Sequence, residues 1–177
     1  GVGKTAVAQV LLTHSHYDHV SLIPEIKARY GARILAWNPH LPLVDHVLAD
    51  GDRIPAGDRE FEVIHTTGHT DDSVCFYEPH QELLFAGDTP LVVNSVGGDY
   101  DEAFVTVLER LCVLPIRTIY LGHGDPLTTN CRAQLERTLA NVVESRRRFR
   151  AHNHGGEARV APAGPPNPPS ARDGLTA

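Results

Sequence analysis

The residues best suited to chemistry lie in the stretch THSHYDHV, which holds His14, His16, Asp18 and His19. On an extended backbone, His14 and His16 project from the same side, so both can reach one metal ion. Asp18 and His19 follow in an expected turn, where they can serve a second position close by. Neutral imidazoles and carboxylates are ligands that zinc, iron and manganese accept. Burying so many polar groups without a metal would leave hydrogen-bonding groups unpaired, so this stretch predicts a metal site.

Three later loops offer further ligands. TTGHTDD places His69 beside Gly68, FAGDTP contains Asp88, and YLGHGDP contains His123. Each of these follows a predicted strand and lies beside a glycine, which lets the backbone turn tightly. Strand ends at a common sheet edge can converge, so we expect these side chains to join the first cluster.

The elements that must position these residues are short apolar strands alternating with helical patterns. Strands are predicted at residues 8–14, 32–37, 60–66, 72–78, 82–88 and 117–124. Residues 72–78 and 82–88 are also close enough in sequence to form a hairpin. Helices are predicted at residues 21–31, ended by Gly31, at 100–114, and at 130–152, with Asn130 as a candidate N-cap. Residues 44–57 carry two turn signals.

Length and composition indicate one ordinary globular domain. The chain has 177 residues and a net charge of −6, and this balance does not indicate a nucleic-acid-binding surface. No apolar run approaches the ~20 residues needed to span a bilayer. Three widely spaced cysteines suit free thiols in a reducing compartment, which predicts a cytoplasmic protein.

The domain is predicted to cover residues 1–152, followed by a Pro/Gly-rich disordered tail at residues 153–177. The chain contains no methionine, so residue 1 is not a translation start and the N-terminus is expected to be incomplete. The opening GVGKT is similar to the end of a phosphate-binding loop. It lacks the upstream half of that motif, and the interpretation we favour is a turn leading into a strand.

The motifs H-x-H-x-D-H, G-H-T, G-D-T and G-H-G occur in this order, and over about residues 9–152 the chain resembles the metallo-β-lactamase superfamily of hydrolases. The resemblance implies an α/β fold, the αββα sandwich, with two sheets face to face, helices outside and metals at one edge. The family normally has several strands before the first motif. Their absence here implies an N-terminally incomplete fold with part of its core exposed. Thr67 stands where the family commonly has proline.

The resemblance also implies a binuclear centre. His14, His16 and His69 would hold one divalent ion, Asp18, His19 and His123 would hold the other, and Asp88 would bridge both. Zinc is the preferred metal, with iron and manganese as alternatives, because ligand type alone does not choose among them. The remaining histidines match no family motif; they are His40, His46, His65, His80, His152 and His154.

Such a centre would hydrolyse a substrate. Two ions about 3.5–4 Å apart can share a hydroxide that attacks a carbonyl carbon or phosphorus. Asp18 would orient the hydroxide or relay a proton to the leaving group. The resemblance favours hydrolysis of a small-molecule ester, thioester or lactone. Asp88 argues against a β-lactamase, since those members usually lack it, and the C-terminal region does not support a glutathione thioester.

Two alternatives remain open. One is a phosphodiesterase acting on nucleic acid, for which the basic run RRRFR at residues 146–150 is the sole hint. A solvated helix end, whose cations complement the helix dipole, explains that run more simply, so no nucleic-acid partner is expected. The other is a catalytically silent fragment that needs a partner or a second copy to cover its sheet, which would make a homodimer. No membrane partner is expected.

Overall fold

A computed structural model of the protein describes residues 7–154. The GVGKT stretch and nearly all of the predicted tail lie outside these residues. In chain order the elements are β1 (Gln9–Leu11), α1 (Tyr17–Val20), α2 (Ile23–Tyr30), β2 (Arg33–Ala36), β3 (His46–Val47), β4 (Arg53–Ala56), β5 (Arg59–His65), β6 (Val74–Glu78), β7 (Leu83–Gly87), α3 (Glu102–Val113), β8 (Thr118–Leu121) and α4 (Cys131–His154).

The larger sheet has five strands in the order β4-β5-β6-β7-β8. Neighbours from β4 to β7 are antiparallel, which confirms the predicted β6–β7 hairpin, and β8 joins β7 in parallel. The central strand β6 is buried along its whole length. Its side chains alternate between faces, so Cys75 and Tyr77 belong to the core under α3 and α4, while Val74 and Phe76 face the smaller sheet.

The smaller sheet is parallel, with the order β1-β2-β3. On one face Ile34 and Ala36 pack with Ile23 of α2. On the other face Leu35 packs against the larger sheet. Apolar residues thus occupy both faces of β2, as expected for a parallel strand covered on both sides.

Helices α3 and α4 cover the outer face of the larger sheet. α3 begins where the Asp101 carboxylate accepts the backbone N–H of Phe104 at 2.7 Å, the usual N-cap arrangement. Its residues Phe104, Leu108 and Leu111 recur at helical spacing and are fully buried. The layers are therefore helix, sheet, sheet, helix, which confirms the αββα sandwich. Among residues 7–154, every helix is too short or too polar to cross a membrane.

The structure departs from the predicted elements in three places. Residues 44–57 contain β3 and β4 besides the two turns; at two and four residues, these strands are too short to give an alternating pattern. Asp18 and His19 lie on one turn of helix, α1, rather than in an irregular turn. α4 continues past residue 152 to His154. Gly31 ends α2 in a left-handed conformation (φ 64°), as predicted.

The inner face of the larger sheet is only partly covered by the smaller one. β1 lies at an edge of the smaller sheet. Phe85 and Tyr120, paired on β7 and β8, are each 37% exposed, and their rings stack with centroids 4.8 Å apart. Within residues 7–154, these two rings thus form a partly exposed aromatic pair on the inner face of the larger sheet.

Candidate metal centre

The predicted ligands all follow the carboxyl ends of strands. His14 and His16 come after β1, and Asp18 and His19 lie on α1 directly beyond them. In the larger sheet, β5, β7 and β8 run in the same direction, so the loops after them share one edge. His69, Asp88 and His123 lie in those loops. The structure thus brings all seven predicted ligand side chains to one edge of the sandwich, in two groups.

The first group contains His14, His16, His69 and Asp88, whose candidate ligand atoms lie within 4.8 Å of one another. Nε2 of His14 and Nε2 of His69 are each 3.7 Å from Asp88 Oδ2. Nε2 of His69 is also 3.0 Å from Nδ1 of His16. The hydroxyl of Thr13 lies 3.2 Å from His14 Nδ1, which leaves Nε2 of that ring facing the group.

The second group contains Asp18, His19, His123 and again Asp88. Nε2 of His123 is 3.0 Å from Asp18 Oδ2 and 3.4 Å from Asp88 Oδ2. Nε2 of His19 is 3.4 Å from Asp88 Oδ1 and 3.6 Å from Asp18 Oδ2. Asp88 is the one residue common to both groups, and its side chain is mostly buried between them.

The donor set fits a pair of divalent cations. His14 Nε2, His19 Nε2 and Asp88 Oδ1 are buried atoms with no hydrogen-bond partner within the described part of the chain. Buried polar atoms are normally paired, and all three of these face the candidate ligand groups. Imidazole nitrogens and carboxylate oxygens are first-row divalent metal ligands, so cations would satisfy these atoms.

Burial favours the neutral form of the His14 imidazole, which is the form that binds a metal ion. Its pKa is lowered to about 4, first by burial and then by the neighbouring His19, while Asp88 opposes the shift. A metal ligand must be deprotonated, so at neutral pH this ring has no proton to lose on binding a cation.

The same shift predicts how the metal-free protein responds to acid. Above about pH 6.5, His14 is neutral in both the folded and the unfolded chain. As the pH falls from 6.5 towards 4, the unfolded chain takes up a proton that the folded chain excludes. We therefore expect His14 to lower the free energy of unfolding by up to ~3 kcal/mol over this range. Urea unfolding with a chelator present, at pH 7 and at pH 4.5, measures the change.

Two variants isolate the contribution of His14. His14→Gln should lose part of this pH dependence, whereas His46→Gln, at an exposed histidine on β3, should keep it. Equal pH dependence in His14→Gln and the unaltered protein would contradict this assignment.

A polar network that the sequence analysis missed fixes the loop carrying His69. Thr70 donates its hydroxyl to Asp72 at 2.7 Å. Burial raises the pKa of Asp72, but hydrogen bonds from Ser15 and Thr70 outweigh this effect and leave the pKa below its usual value. Because Ser15 lies between His14 and His16, Asp72 links the two ligand loops. Hydroxyl and carboxylate residues flanking a motif are common in loops, so the sequence alone does not single them out.

Close packing fixes the Asp88 loop as well. The hydroxyls of Thr66 and Thr89 are hydrogen bonded at 2.9 Å, joining the ends of β5 and β7. The N–H of Gly122 donates to the carbonyl of Gly87 at 2.7 Å. A Cβ placed on Gly122 would overlap Asp88 Oδ1, so only glycine fits beside this carboxylate.

A cleft of about 320 Å³ opens beside the cluster. Its lining includes His69, Asp88 and His123 from the ligand set. Pro90, Val92 and Leu121 form an apolar wall beside them. The cleft is therefore placed for a small molecule with its reacting group against the ligand atoms.

Among the histidines outside the family motifs whose side chains the structure describes, none belongs to either ligand group; these are His40, His46, His65, His80 and His152. His65 has a structural contact, because its ring stacks on Trp37 with centroids 3.8 Å apart. The Sγ atom of Cys75 lies 3.5 Å from Thr89 Oγ1, and burial raises the pKa of this thiol to about 11. A thiolate nucleophile at this position is therefore unfavourable near neutral pH.

Comparison with known proteins identifies the family. The family model described as "Metallo-beta-lactamase superfamily" matches residues 1–123, which contain all seven candidate ligands. A hydroxyacylglutathione hydrolase from Methylobacterium nodulans is 35% identical over 161 residues, covering 81% of this chain and 62% of that protein. The protein of the same name from Fuscovulum blasticum is 37% identical over 136 residues, covering 73% of this chain and 52% of that protein. The chain thus spans between half and two thirds of the length of these relatives.

Solved structures agree on the fold. A metallo-beta-lactamase family protein from Thermus thermophilus superposes with a TM-score of 0.60 at 22% identity, covering 84% of this chain and 62% of that one. A second protein, solved in a di-iron-bound form, gives a TM-score of 0.55 at 28% identity, covering 71% of this chain and 74% of that one. With the family model matching more than half of its residues, the chain belongs to the metallo-β-lactamase superfamily.

Proposed function

We propose that this protein is a binuclear metal-dependent hydrolase that cleaves a small-molecule thioester, with esters and lactones as related substrates. The observation that carries the proposal is the position of Asp88, whose carboxylate belongs to both ligand groups. The unpaired nitrogens of His14 and His19 support it, because both face this centre. The relatives named hydroxyacylglutathione hydrolase support the thioester class.

The two clusters of side chains support the following roles. His14, His16 and His69 would hold one ion, Asp18, His19 and His123 would hold the other, and Asp88 would bind both. When bound, the two ions would supply a hydroxide at neutral pH and polarise the carbonyl oxygen of the substrate. We favour zinc, with iron and manganese as alternatives, since the ligand types suit all three.

Asp18 is the candidate for proton transfer. Its Oδ2 atom lies 3.0 Å from His123 Nε2, and its side chain is 55% exposed, so it can contact both the centre and a bound substrate. From there the carboxylate can accept a proton and pass it to the departing thiolate or alkoxide.

A glutathione thioester is the first substrate to test. The C-terminal region argues against it only if glutathione must bind there. The 35% identity to a hydroxyacylglutathione hydrolase is the stronger argument. We therefore prefer a glutathione thioester, although the C-terminal sequence did not support one.

The surface supports a small molecule rather than nucleic acid as the partner. In the basic run, Arg146 and Arg150 pair with Glu102, and Arg147 and Arg148 pair with Glu144. Each of these four arginines thus has a carboxylate partner, and the two glutamates offset part of their charge, which weakens the case for an open basic patch. We propose a cytoplasmic location, and the buried free cysteines support it because they suit a reducing compartment.

A metal and substrate screen tests the proposal. We expect protein loaded with zinc, iron or manganese to bind two ions per chain by elemental analysis. It should then hydrolyse thioesters faster than matched oxyesters or lactones, and chelation should abolish the activity. Two bound ions with cleavage of phosphodiesters alone would contradict the thioester assignment. Absence of bound metal would contradict the binuclear centre.

A further inference from the structure

We propose that Val92, in residues 91–97 (here named the cleft segment), forms with Pro90 and Leu121 the wall that selects the acyl group of the substrate, and that the group admitted is uncharged and apolar. Thr138, Asn141 and Ser145 of α4 hold this segment in position. The inference deepens the proposed function and rests on it. The apolar wall would determine specificity. The three α4 residues lie behind this wall, outside the site, and would hold it in position.

The wall of the cleft is apolar where an acyl chain would lie. A substrate carbonyl placed against Asp88 and His123 has Pro90, Val92 and Leu121 beside it. Val92 is 41% exposed, whereas Leu91 next to it is fully buried, so the segment presents Val92 to the substrate. No lysine or arginine is among the described residues that line this cleft. A carboxylate on an acyl chain that lies along the apolar wall would therefore lose water without gaining a lysine or arginine partner there.

The cleft segment has no regular secondary structure, and side chains of α4 bond the backbone of three of its residues, Leu91, Val93 and Gly97. Thr138 donates its hydroxyl to the carbonyl of Leu91 at 2.9 Å and accepts the N–H of Val93 at 3.1 Å. One side chain thus bonds the backbone on both sides of Val92. Asn141 donates its amide to the carbonyl of Val93 at 2.8 Å.

The third contact secures the far end of the segment. Ser145 accepts the N–H of Gly97 at 2.8 Å. Positions 138, 141 and 145 fall on one face of a helix, so the three side chains form a single row along α4. Thr138 and Ser145 are buried, so water does not compete freely for these bonds. The position of Val92 in the cleft therefore depends on α4.

A matched substrate pair tests the chemical class. Butyryl and succinyl thioesters of one thiol have acyl chains of equal carbon number and differ by a terminal carboxylate. We expect kcat/KM for the butyryl thioester to exceed that for the succinyl thioester at least tenfold. We also expect kcat/KM to rise by up to about fourfold per methylene from acetyl to hexanoyl, until the wall is covered. Equal rates for the butyryl and succinyl thioesters would overturn the apolar assignment.

Variants of α4 test the positioning role. Thr138→Val keeps the shape of the side chain but removes both hydrogen bonds to the cleft segment, together with the one that Gln134 Nε2 donates, and Thr138→Ser restores the hydroxyl. We expect Thr138→Val to lower the hexanoyl-to-acetyl ratio of kcat/KM about fivefold, mainly through KM, with two metal ions still bound. Thr138→Ser should recover the ratio, and Val143→Ala, at an exposed residue of α4, should not change it.

The outcomes separate this inference from the proposed function. Suppose that Thr138→Val hydrolyses thioesters with an unchanged hexanoyl-to-acetyl ratio of kcat/KM but has a lower melting temperature. The three α4 side chains would then only stabilise the fold. If Thr138→Val does not fold, the hexanoyl-to-acetyl ratio of kcat/KM in Asn141→Ala tests the positioning role instead, because the Asn141 side chain bonds only the carbonyl of Val93 in the cleft segment. Failure of the metal-loaded protein to cleave any thioester would instead overturn the proposed function.

Discussion

Replacing Asp88 with alanine is expected to release metal from both positions at once. The Asp88 carboxylate lies within 3.7 Å of a histidine nitrogen from each ligand group. If it binds both ions, its loss removes a ligand from each and leaves two cations without the anion between them. We expect fewer than two zinc ions per chain by elemental analysis, weaker binding at both positions in a zinc titration of the metal-free protein, and almost no hydrolysis.

Two further variants separate charge from general damage. Asp88→Asn keeps the size of the side chain but removes its charge, so it should resemble the alanine variant in metal content. Asp58→Ala, at a carboxylate that is 94% exposed, should leave metal content unchanged and stability within ~0.5 kcal/mol. Full binding of two ions by Asp88→Ala would exclude the bridging role.

Replacing Asp18 with alanine should affect only one position. Asp18 lies near His19 and His123 but is absent from the group of His14, His16 and His69. We therefore expect the second ion to be lost while the first position stays at least partly filled. The stoichiometry should approach one ion per chain, and hydrolysis should fall by ~100-fold or more, because both an ion and a proton acceptor are removed.

Asp18→Asn distinguishes the two roles of this side chain. Its amide oxygen remains a weak metal ligand, but it cannot accept a proton at neutral pH. With zinc in excess, a variant that holds two ions yet remains impaired would assign proton transfer to Asp18. Recovery of full activity under those conditions would limit Asp18 to metal binding.

The residues of the two candidate ligand groups could be predicted because their signals are local. Each candidate follows a short apolar strand, and His69, Asp88 and His123 each have a glycine beside them, so residue type and spacing were sufficient to find them. Gly31 at the end of α2 is predictable for the same reason, since a left-handed helix end favours glycine.

Features that depend on distant contacts could not be predicted. Thr138, Asn141 and Ser145 look like the polar face of a surface helix, and only the fold places the cleft segment against them. The hydrogen bond between Thr66 and Thr89 joins loops more than 20 residues apart. β3 and β4 were missed because they owe their extended form to pairing with β2 and β5 rather than to their own sequence.

The close approach of Gly122 to Asp88 limits how this centre can evolve. Every amino-acid replacement at position 122 adds a Cβ, and that atom would overlap Asp88 Oδ1. A tolerated replacement would therefore require Asp88 to move in the same step, although Asp88 is the residue shared by both ligand groups. The contact between Gly122 and Asp88 therefore couples the loops after β7 and β8, and a change in one of them has to be matched in the other.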